Sequence, residues 1–315
     1  MDKKNLIPLL AMPLLLLAVE CGALLISLPV QVSGMVAFED PSSYENPFIF
    51  IGILLVFTAF LLLLIKYNLK KLIAAIIGIS IFFTFGYIYA ALLYAGMGVT
   101  DVANVIIIVL AILSTLLLYK YPEWYVIDSL GVLIGAGVAS IFGVSLEVLP
   151  VILLLIILAV YDAISVYKTK HMITLAEGVV DLKTPILFVI PKRRDYSFIR
   201  EGFGKISPEP SEPANGEGEG VRAENKSSER AAFIIGMGDL IMPAILVVSA
   251  NVFIQGTKLG GIVNLPALGA MIGSVAGILV LLYFVMSGKP QAGLPPINGG
   301  TIIGCLVGWA VMGWG

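Results

Sequence analysis

Residues 148–167 read VLPVILLLIILAVYDAISVY, a run of twenty residues whose single charged side chain is Asp162. A helix needs about 20 mostly apolar residues to cross the hydrocarbon core of a bilayer. Nine runs of this kind occur, and their length and Leu and Ile content exclude the short alternating strands of a membrane β-barrel. They lie near 6–30, 48–65, 71–95, 102–119, 124–143, 147–167, 231–250, 261–286 and 294–314. The sequence therefore predicts an all-α, polytopic membrane protein with nine transmembrane helices.

The composition supports a membrane protein and excludes several other classes. Of the 315 residues, 59% are hydrophobic and 13% are charged, whereas soluble domains average roughly 45–50% and about 25%. A net charge of −2 does not suit a nucleic-acid-binding protein. One histidine and two cysteines are too few for a multi-histidine metal site or a disulfide framework.

The distribution of Lys and Arg predicts the orientation, because cytoplasmic loops carry an excess of both residues. With a cytoplasmic N-terminus, 18 of the 19 basic residues fall on the cytoplasmic side, and only Lys258 falls outside. Eleven of the 18 belong to one long loop, but the short loops alone still place seven inside against one outside. We therefore predict a multi-pass protein of the cell membrane with a cytoplasmic N-terminus and an external C-terminus.

The longest connection between predicted spans, residues 168–230, divides the chain into a six-helix part (1–167) and a three-helix part (231–315). Its second half, 205–230, is rich in Glu, Gly, Pro and Ser and is predicted to be a disordered cytoplasmic linker. Its first half contains a strand-like apolar run, 185–190. That run suits a pairing edge, a lid or a loop resting on the membrane surface, and we favour the surface loop.

Four acidic residues fall within the predicted spans, where ionisable groups are costly and are candidates for function. They are Glu20, Asp128, Asp162 and Asp239, and no Lys or Arg lies deep within any span to pair with them. Asp128 follows Trp124 closely, so we expect it to be solvated near the cytoplasmic interface. Glu20 lies deeper and is expected to hydrogen-bond another helix.

Asp162 and Asp239 are predicted to lie at similar depth. Asp162 precedes Lys168 by six residues, or about 9 Å of helix, and Asp239 follows Ala231 by eight residues, or about 12 Å. Two carboxyl groups that share an apolar site hold one proton between them. One carboxyl can then deprotonate a water while the other protonates a carbonyl, which is the chemistry of an aspartic protease. The alternatives are a cation or proton transporter or leak channel and a non-catalytic scaffold.

Glycines and a proline surround Asp239. Gly236 and Gly238 carry no side chain, so a neighbouring helix or an extended substrate can come close to the acid. Simple helix packing would also explain them. Pro243 leaves the Asp239 carbonyl without its intrahelical partner and is expected to weaken the helix there.

The pair Tyr161-Asp162, the motif Gly236-x-Gly238-Asp239, the nine spans and the long loop between spans six and seven resemble the presenilin/signal peptide peptidase family of intramembrane aspartyl proteases. The resemblance implies a presenilin-like fold and an intramembrane-cleaving aspartic endopeptidase with Asp162 and Asp239 as its catalytic pair. Tyr161 would pack beside the site or hydrogen-bond to it, and the reaction would need no metal or other cofactor. The substrates would be transmembrane segments or remnant signal peptides within the lipid bilayer. The compact termini are similar to those of archaeal single-chain members.

The third motif of this family, Pro-Ala-Leu at the start of the ninth span, is not present at that position. We take Gly293-Leu294-Pro295 as its substrate-binding counterpart. A literal Pro266-Ala267-Leu268 lies near the external end of the eighth span and is treated as coincidental. Pro295 and Pro296 favour an extended segment that could pair with a substrate strand, although prolines are also common at helix starts.

Overall fold

The computed structural model of the chain describes residues 3–169, 187–191, 196–201, 232–285 and 291–313. Nine apolar helices, α1 to α9, occur in these ranges at the nine predicted positions. Their bounds are Lys3–Ser33, Asn46–Lys66, Lys70–Met97, Asp101–Lys120, Trp124–Ser145, Val148–Ile164, Met237–Phe253, Leu265–Val285 and Leu294–Gly313. Eight are long and apolar enough to cross a membrane, and α7 is a shorter apolar helix. The predicted helical fold is therefore confirmed, and the orientation of the termini stays a prediction.

Helix α5 lies at the centre, in contact with α1 on one side and α7 on another. Glycines on α5 permit both contacts. A side chain on Gly135 would come within 3.3 Å of Val19 on α1, and one on Gly143 would press on Val248 of α7. The core of buried apolar side chains therefore runs from α1 through α5 to α7.

The connection from α7 to α8 is organised by Asn264. Its side chain donates to the carbonyls of Ala250 and Ile254 at 2.7 and 2.9 Å and accepts from the backbone N–H of Ala267 at 3.0 Å. One side chain thus satisfies the last carbonyls of α7 and caps α8. A short antiparallel pair, β3 (Lys258–Leu259) and β4 (Val263–Asn264), completes the turn.

The predicted start of the seventh helix is wrong. Residues Ala232–Gly236 form a strand, β2, and α7 begins only at Met237. Strand β2 pairs antiparallel with β1, Leu187–Pro191. A short apolar run suits a buried strand as well as a helix, and the partner that decides between them comes from a distant part of the chain.

The predicted surface position of the apolar run in the long loop is also wrong. The described part of the run, residues 187–190, does not rest on the membrane surface, because Phe188 and Val189 are fully buried within the protein. A π-helical segment, Ser165–Thr169, extends α6, and a one-turn helix, Phe198–Glu201, follows β1. The predicted linker 205–230 lies outside the described residues, and the division into 1–167, 168–230 and 231–315 stays a prediction.

Candidate active site

The two candidate acids lie where α6 ends and α7 begins. Asp162 is in the last turn of α6 and is buried, and Asp239 is the third residue of α7. The two helices contact each other. The late start of α7 brings Asp239 closer to the helix end than predicted, which leaves both acids at matching ends of neighbouring helices.

Asp239 belongs to the N-terminal cap of α7. Gly236 is the N-cap residue, and the Asp239 carboxylate accepts a hydrogen bond from its backbone N–H. A carboxylate at the third helical position that reaches back to the N-cap N–H forms half of a capping box. The positive end of the helix dipole also favours a carboxylate there. The local sequence thus holds the Asp239 side chain at the start of the helix.

Asp162 is held by the start of α9. The backbone N–H of Leu294 donates to Asp162 Oδ2 at 3.0 Å, and the N–H of Gly293 also donates to this carboxylate. The first N–H groups of a helix have no intrahelical acceptor, so Asp162 supplies one for α9. Leu294 is the first residue of that helix.

The same peptide touches the second acid. A side-chain carbon on Gly293 would lie 3.1 Å from Asp239 Oδ2, and one on Gly236 would lie 3.4 Å from the same oxygen. The two carboxylates therefore flank the Gly293–Leu294 peptide. Gly238 differs, because a side chain there would meet nothing within 4 Å. The structure brings together Asp162, Asp239, Gly236, Gly293 and Leu294, and it leaves open space beside Gly238.

Tyr161 and the prolines of the two candidate motifs all lie within helices. Tyr161 precedes Asp162 on α6 and is half-buried. Pro295 and Pro296 lie in the first turn of α9, so their expected extended conformation is wrong and they are ordinary helix-start prolines. Pro266 lies at the start of α8, and the whole length of α7 separates it from Asp239.

Two polar residues that sequence reasoning missed hold this arrangement. Asn298, one turn after Leu294, donates from Nδ2 to the Leu155 carbonyl on α6 at 3.1 Å. Tyr167 donates from its hydroxyl to Gln291 at 2.8 Å and accepts from the Ala292 N–H at 3.3 Å. Asn298 joins α9 to α6, and Tyr167 joins the extension of α6 to the residues just before α9. The signal in the sequence is their spacing. Asn298 follows Leu294 by four residues and Tyr167 follows Asp162 by five, so each lies about one helical turn from a residue of the site.

The other two acids have definite partners. The predicted solvation of Asp128 is wrong, because this residue is buried on α5 and accepts from the backbone N–H of Val189 in β1 at 2.9 Å. Glu20 is fully buried on α1 and is hydrogen-bonded at 2.7 Å by the hydroxyl of Ser274 on α8. Among the described residues, no three His, Cys, Asp or Glu side chains group in a way that could hold a metal ion.

The family model described as "Signal-peptide peptidase, presenilin aspartyl protease" matches residues 12–314. The chain belongs to this family. The chain is therefore an intramembrane aspartyl protease and a multi-pass integral membrane protein, and the transporter alternative finds no support.

Solved structures agree with the family model. Two structures of a presenilin family intramembrane aspartate protease, in space groups P2 and C222, are each 48% identical to the chain. The first covers 96% of this chain and 98% of its own with a TM-score of 0.67, and the second covers 96% and 99% with a TM-score of 0.69. No curated protein matches the chain.

Proposed function

We propose that Asp162 and Asp239 form the catalytic pair of this presenilin-family protease and hydrolyse peptide bonds within transmembrane segments or remnant signal peptides. The observation that carries the proposal is the shared contact of both carboxylates with the Gly293–Leu294 peptide. Two carboxyl groups held this way in a low-dielectric site share one proton. The protonated member polarises the substrate carbonyl while the ionised member takes a proton from the attacking water. Because the pair titrates as a unit, neither residue has a fixed role.

Access to the pair is provided on the Gly238 side of α7. Gly238 is exposed, and a side chain there would meet no neighbour. Among the described residues, none stands in the way of water or the scissile peptide as they approach Asp239 past Gly238. Pro243, inside α7, removes the hydrogen bond that the Asp239 carbonyl would otherwise accept. Tyr161, next to Asp162, is assigned a supporting role beside the pair.

The substrate must present an extended peptide to the two carboxylates, and β2 offers a backbone edge beside them. Strand β2 ends at Gly236, three residues before Asp239, and is paired on one edge by β1. In the described parts of the chain, no strand pairs with its other edge. An unwound substrate segment adding to that edge would lie alongside the acids. Substrate helices that unwind readily should therefore be cleaved fastest.

The test is separate replacement of the two acids. Asp162→Asn and Asp239→Asn should each reduce cleavage of a transmembrane peptide in detergent by about 10²–10⁴-fold or more, because each removes one proton-transfer group. Mass spectrometry of the products measures the rate and the cleaved bond. The matched control is Glu39→Gln, an exposed carboxylate in the α1–α2 loop, which should cleave at the wild-type rate. Retained cleavage in either Asp variant would refute the assignment.

A further inference from the structure

We propose that Asp128 is a positioning residue that closes the outer edge of β1, so that an extended substrate can add to the sheet only at β2. This inference rests on the proposed function, because it concerns where the substrate of that site is placed. Asp128 lies in the second turn of α5, and 9% of its surface is exposed.

The hydrogen bond of Asp128 identifies which edge of β1 it occupies. Asp128 Oδ1 accepts from the Val189 N–H at 2.9 Å, and Val189 lies opposite Ile234 in the antiparallel register. Residues along an antiparallel strand alternate between pointing their N–H and C=O groups at the partner strand and away from it. The Val189 N–H therefore points away from β2, and Asp128 binds the outer edge of β1.

The same register determines what β2 presents. Because Val189 and Ile234 form a non-hydrogen-bonded pair, the N–H and C=O of Ile234 point away from β1. The two strands thus have unlike outer edges. The outer edge of β1 is covered by α5, and its Val189 N–H is hydrogen-bonded by a carboxylate. The outer edge of β2 presents the backbone N–H and C=O of Ile234, two residues before Gly236.

Helix α5 holds the sheet and the start of α7 on one face. Gly131 lies three residues after Asp128, and a side chain there would come within 2.9 Å of both Phe188 of β1 and Met237 of α7. Met237 is two residues before Asp239. Helix α5 therefore contacts both β1 and the end of α7 that carries Asp239.

A second carboxylate on α5 holds the chain just beyond β1. Glu123, the N-cap residue of α5, accepts from the Ser197 hydroxyl at 2.7 Å and from the Phe198 N–H at 3.1 Å. Asp128 and Glu123 thus anchor the loop segment at two points. Of the two, Asp128 is the one that binds the sheet.

The experiment compares two substitutions of nearly equal size. Asp128→Leu removes the acceptor and leaves the buried Val189 N–H without one, whereas Asp128→Asn keeps a carbonyl oxygen and removes only the charge. With a transmembrane peptide in detergent, Asp128→Leu should lower kcat/KM by about tenfold, chiefly through KM, and should scatter the cleaved bonds. Asp128→Asn should keep the wild-type kcat/KM and cleavage position. Unchanged kinetics and cleavage position in Asp128→Leu would overturn the proposal, as would equal damage in both variants.

A crosslinking measurement keeps the proposal testable even where Asp128→Leu does not fold. Ile234→Cys and Leu187→Cys place a thiol on a half-buried residue of β2 and of β1, respectively. In an Asp239→Asn background that retains substrate, a cysteine-bearing substrate peptide should form a disulfide with Cys at 234 and not with Cys at 187. Crosslinking at 187 in preference to 234 would overturn the inference.

The two proposals can fail separately. Wild-type protein and Asp239→Asn are assayed in parallel, and loss of cleavage in Asp239→Asn supports the proposed function whatever Asp128 does. Cleavage that persists in Asp239→Asn overturns the proposed function itself. A normal Asp239 result with a silent Asp128→Leu overturns the positioning role alone.

Discussion

Helix α2 and the α8–α9 pair are both apolar enough to cross a membrane, yet they are packed in opposite ways. On α8 and α9, facing glycines bring the backbones together, and a side chain on any of them would overlap the opposite backbone. These are Gly269, Gly273 and Gly277 on α8 and Gly300, Gly304 and Gly308 on α9. On α2, only Asn46, Pro47 and Leu64 are buried, and a side chain on Gly52 would meet nothing within 4 Å.

The difference shows that apolar character and packing are separate properties in a membrane protein. Helix α2 is the most apolar of the candidate spans and among the least buried. Lipid is as apolar as Leu, so hydrophobicity inserts a helix but does not press it against its neighbours. Small residues that let backbones approach do so instead. The α8–α9 pair is therefore a closely packed unit, and its helix α9 donates the Leu294 N–H to Asp162.

The largest effect is expected from a substitution that separates α8 from α9. Gly304→Ala places a side chain on the Gly269 carbonyl, and overpacking of this kind costs about 1–3 kcal/mol or more. We expect a clearly lower thermal unfolding temperature in detergent and reduced cleavage, since α9 also holds Asp162.

The matched control for that variant is Gly52→Ala on α2. Because the new methyl group meets only open space, it should leave activity unchanged and add about 0.5–1 kcal/mol of stability through helix propensity. Equal destabilisation by the two substitutions would contradict the comparison between α2 and the α8–α9 pair.

The same comparison of crowded and open glycines applies at the site. Gly293→Ala places a carbon 3.1 Å from Asp239 Oδ2, and a shift of the carboxylate by a few tenths of an ångström should lower kcat roughly tenfold. Gly238→Ala meets no neighbour and should leave the unfolding temperature unchanged. Steady-state kinetics with differential scanning fluorimetry checks both. A Gly293→Ala enzyme with wild-type kcat would show that this contact does not position Asp239.

The smallest effect on stability is expected from loss of the hydrogen bond between α1 and α8. Ser274 of α8 donates to Glu20 of α1 at 2.7 Å. Glu20→Leu should cost only about 1 kcal/mol, because hydrogen bonds between helices in membranes are individually weak. Glu20→Gln keeps an oxygen acceptor and should unfold at nearly the wild-type temperature. A larger loss of stability from Glu20→Leu than from Gly304→Ala would show that this polar contact outweighs the glycine packing.

Much of the architecture was predictable because the position of each transmembrane helix is indicated by the apolar residues of that helix alone. The length of the apolar runs predicted nine helices, and counting residues from the ends of the predicted spans predicted that Asp162 and Asp239 lie at similar depth. Gly293 and Leu294 were found through their likeness to a family motif. None of these predictions required knowledge of a distant contact.

The errors at Asp128 and at the start of α7 share one cause, which is a partner that lies far away in the chain, whereas Pro295 and Pro296 were misjudged because prolines suit a helix start as well as an extended segment. Asp128 was predicted to be solvated because the sequence does not reveal its hydrogen-bond donor, the Val189 N–H, which lies 61 residues later. The start of α7 was misplaced because β2 takes its strand form from β1. The predicted hydrogen bond from Glu20 to another helix is confirmed, but the sequence could not name its partner, Ser274, which lies 254 residues away. Periodicity and composition describe only local preference, so they cannot report such pairs.

The sequence by itself determined that this chain is a helical membrane protein with a pair of acids at matched depth, because apolar length and the spacing of charges are local properties. Only the tertiary structure decided that the Gly293–Leu294 peptide lies between those acids, that β1 pairs with β2 and that Asp128 holds the sheet. These features arise when glycines let helices approach and buried polar groups find partners. Both conditions depend on which segments meet in space.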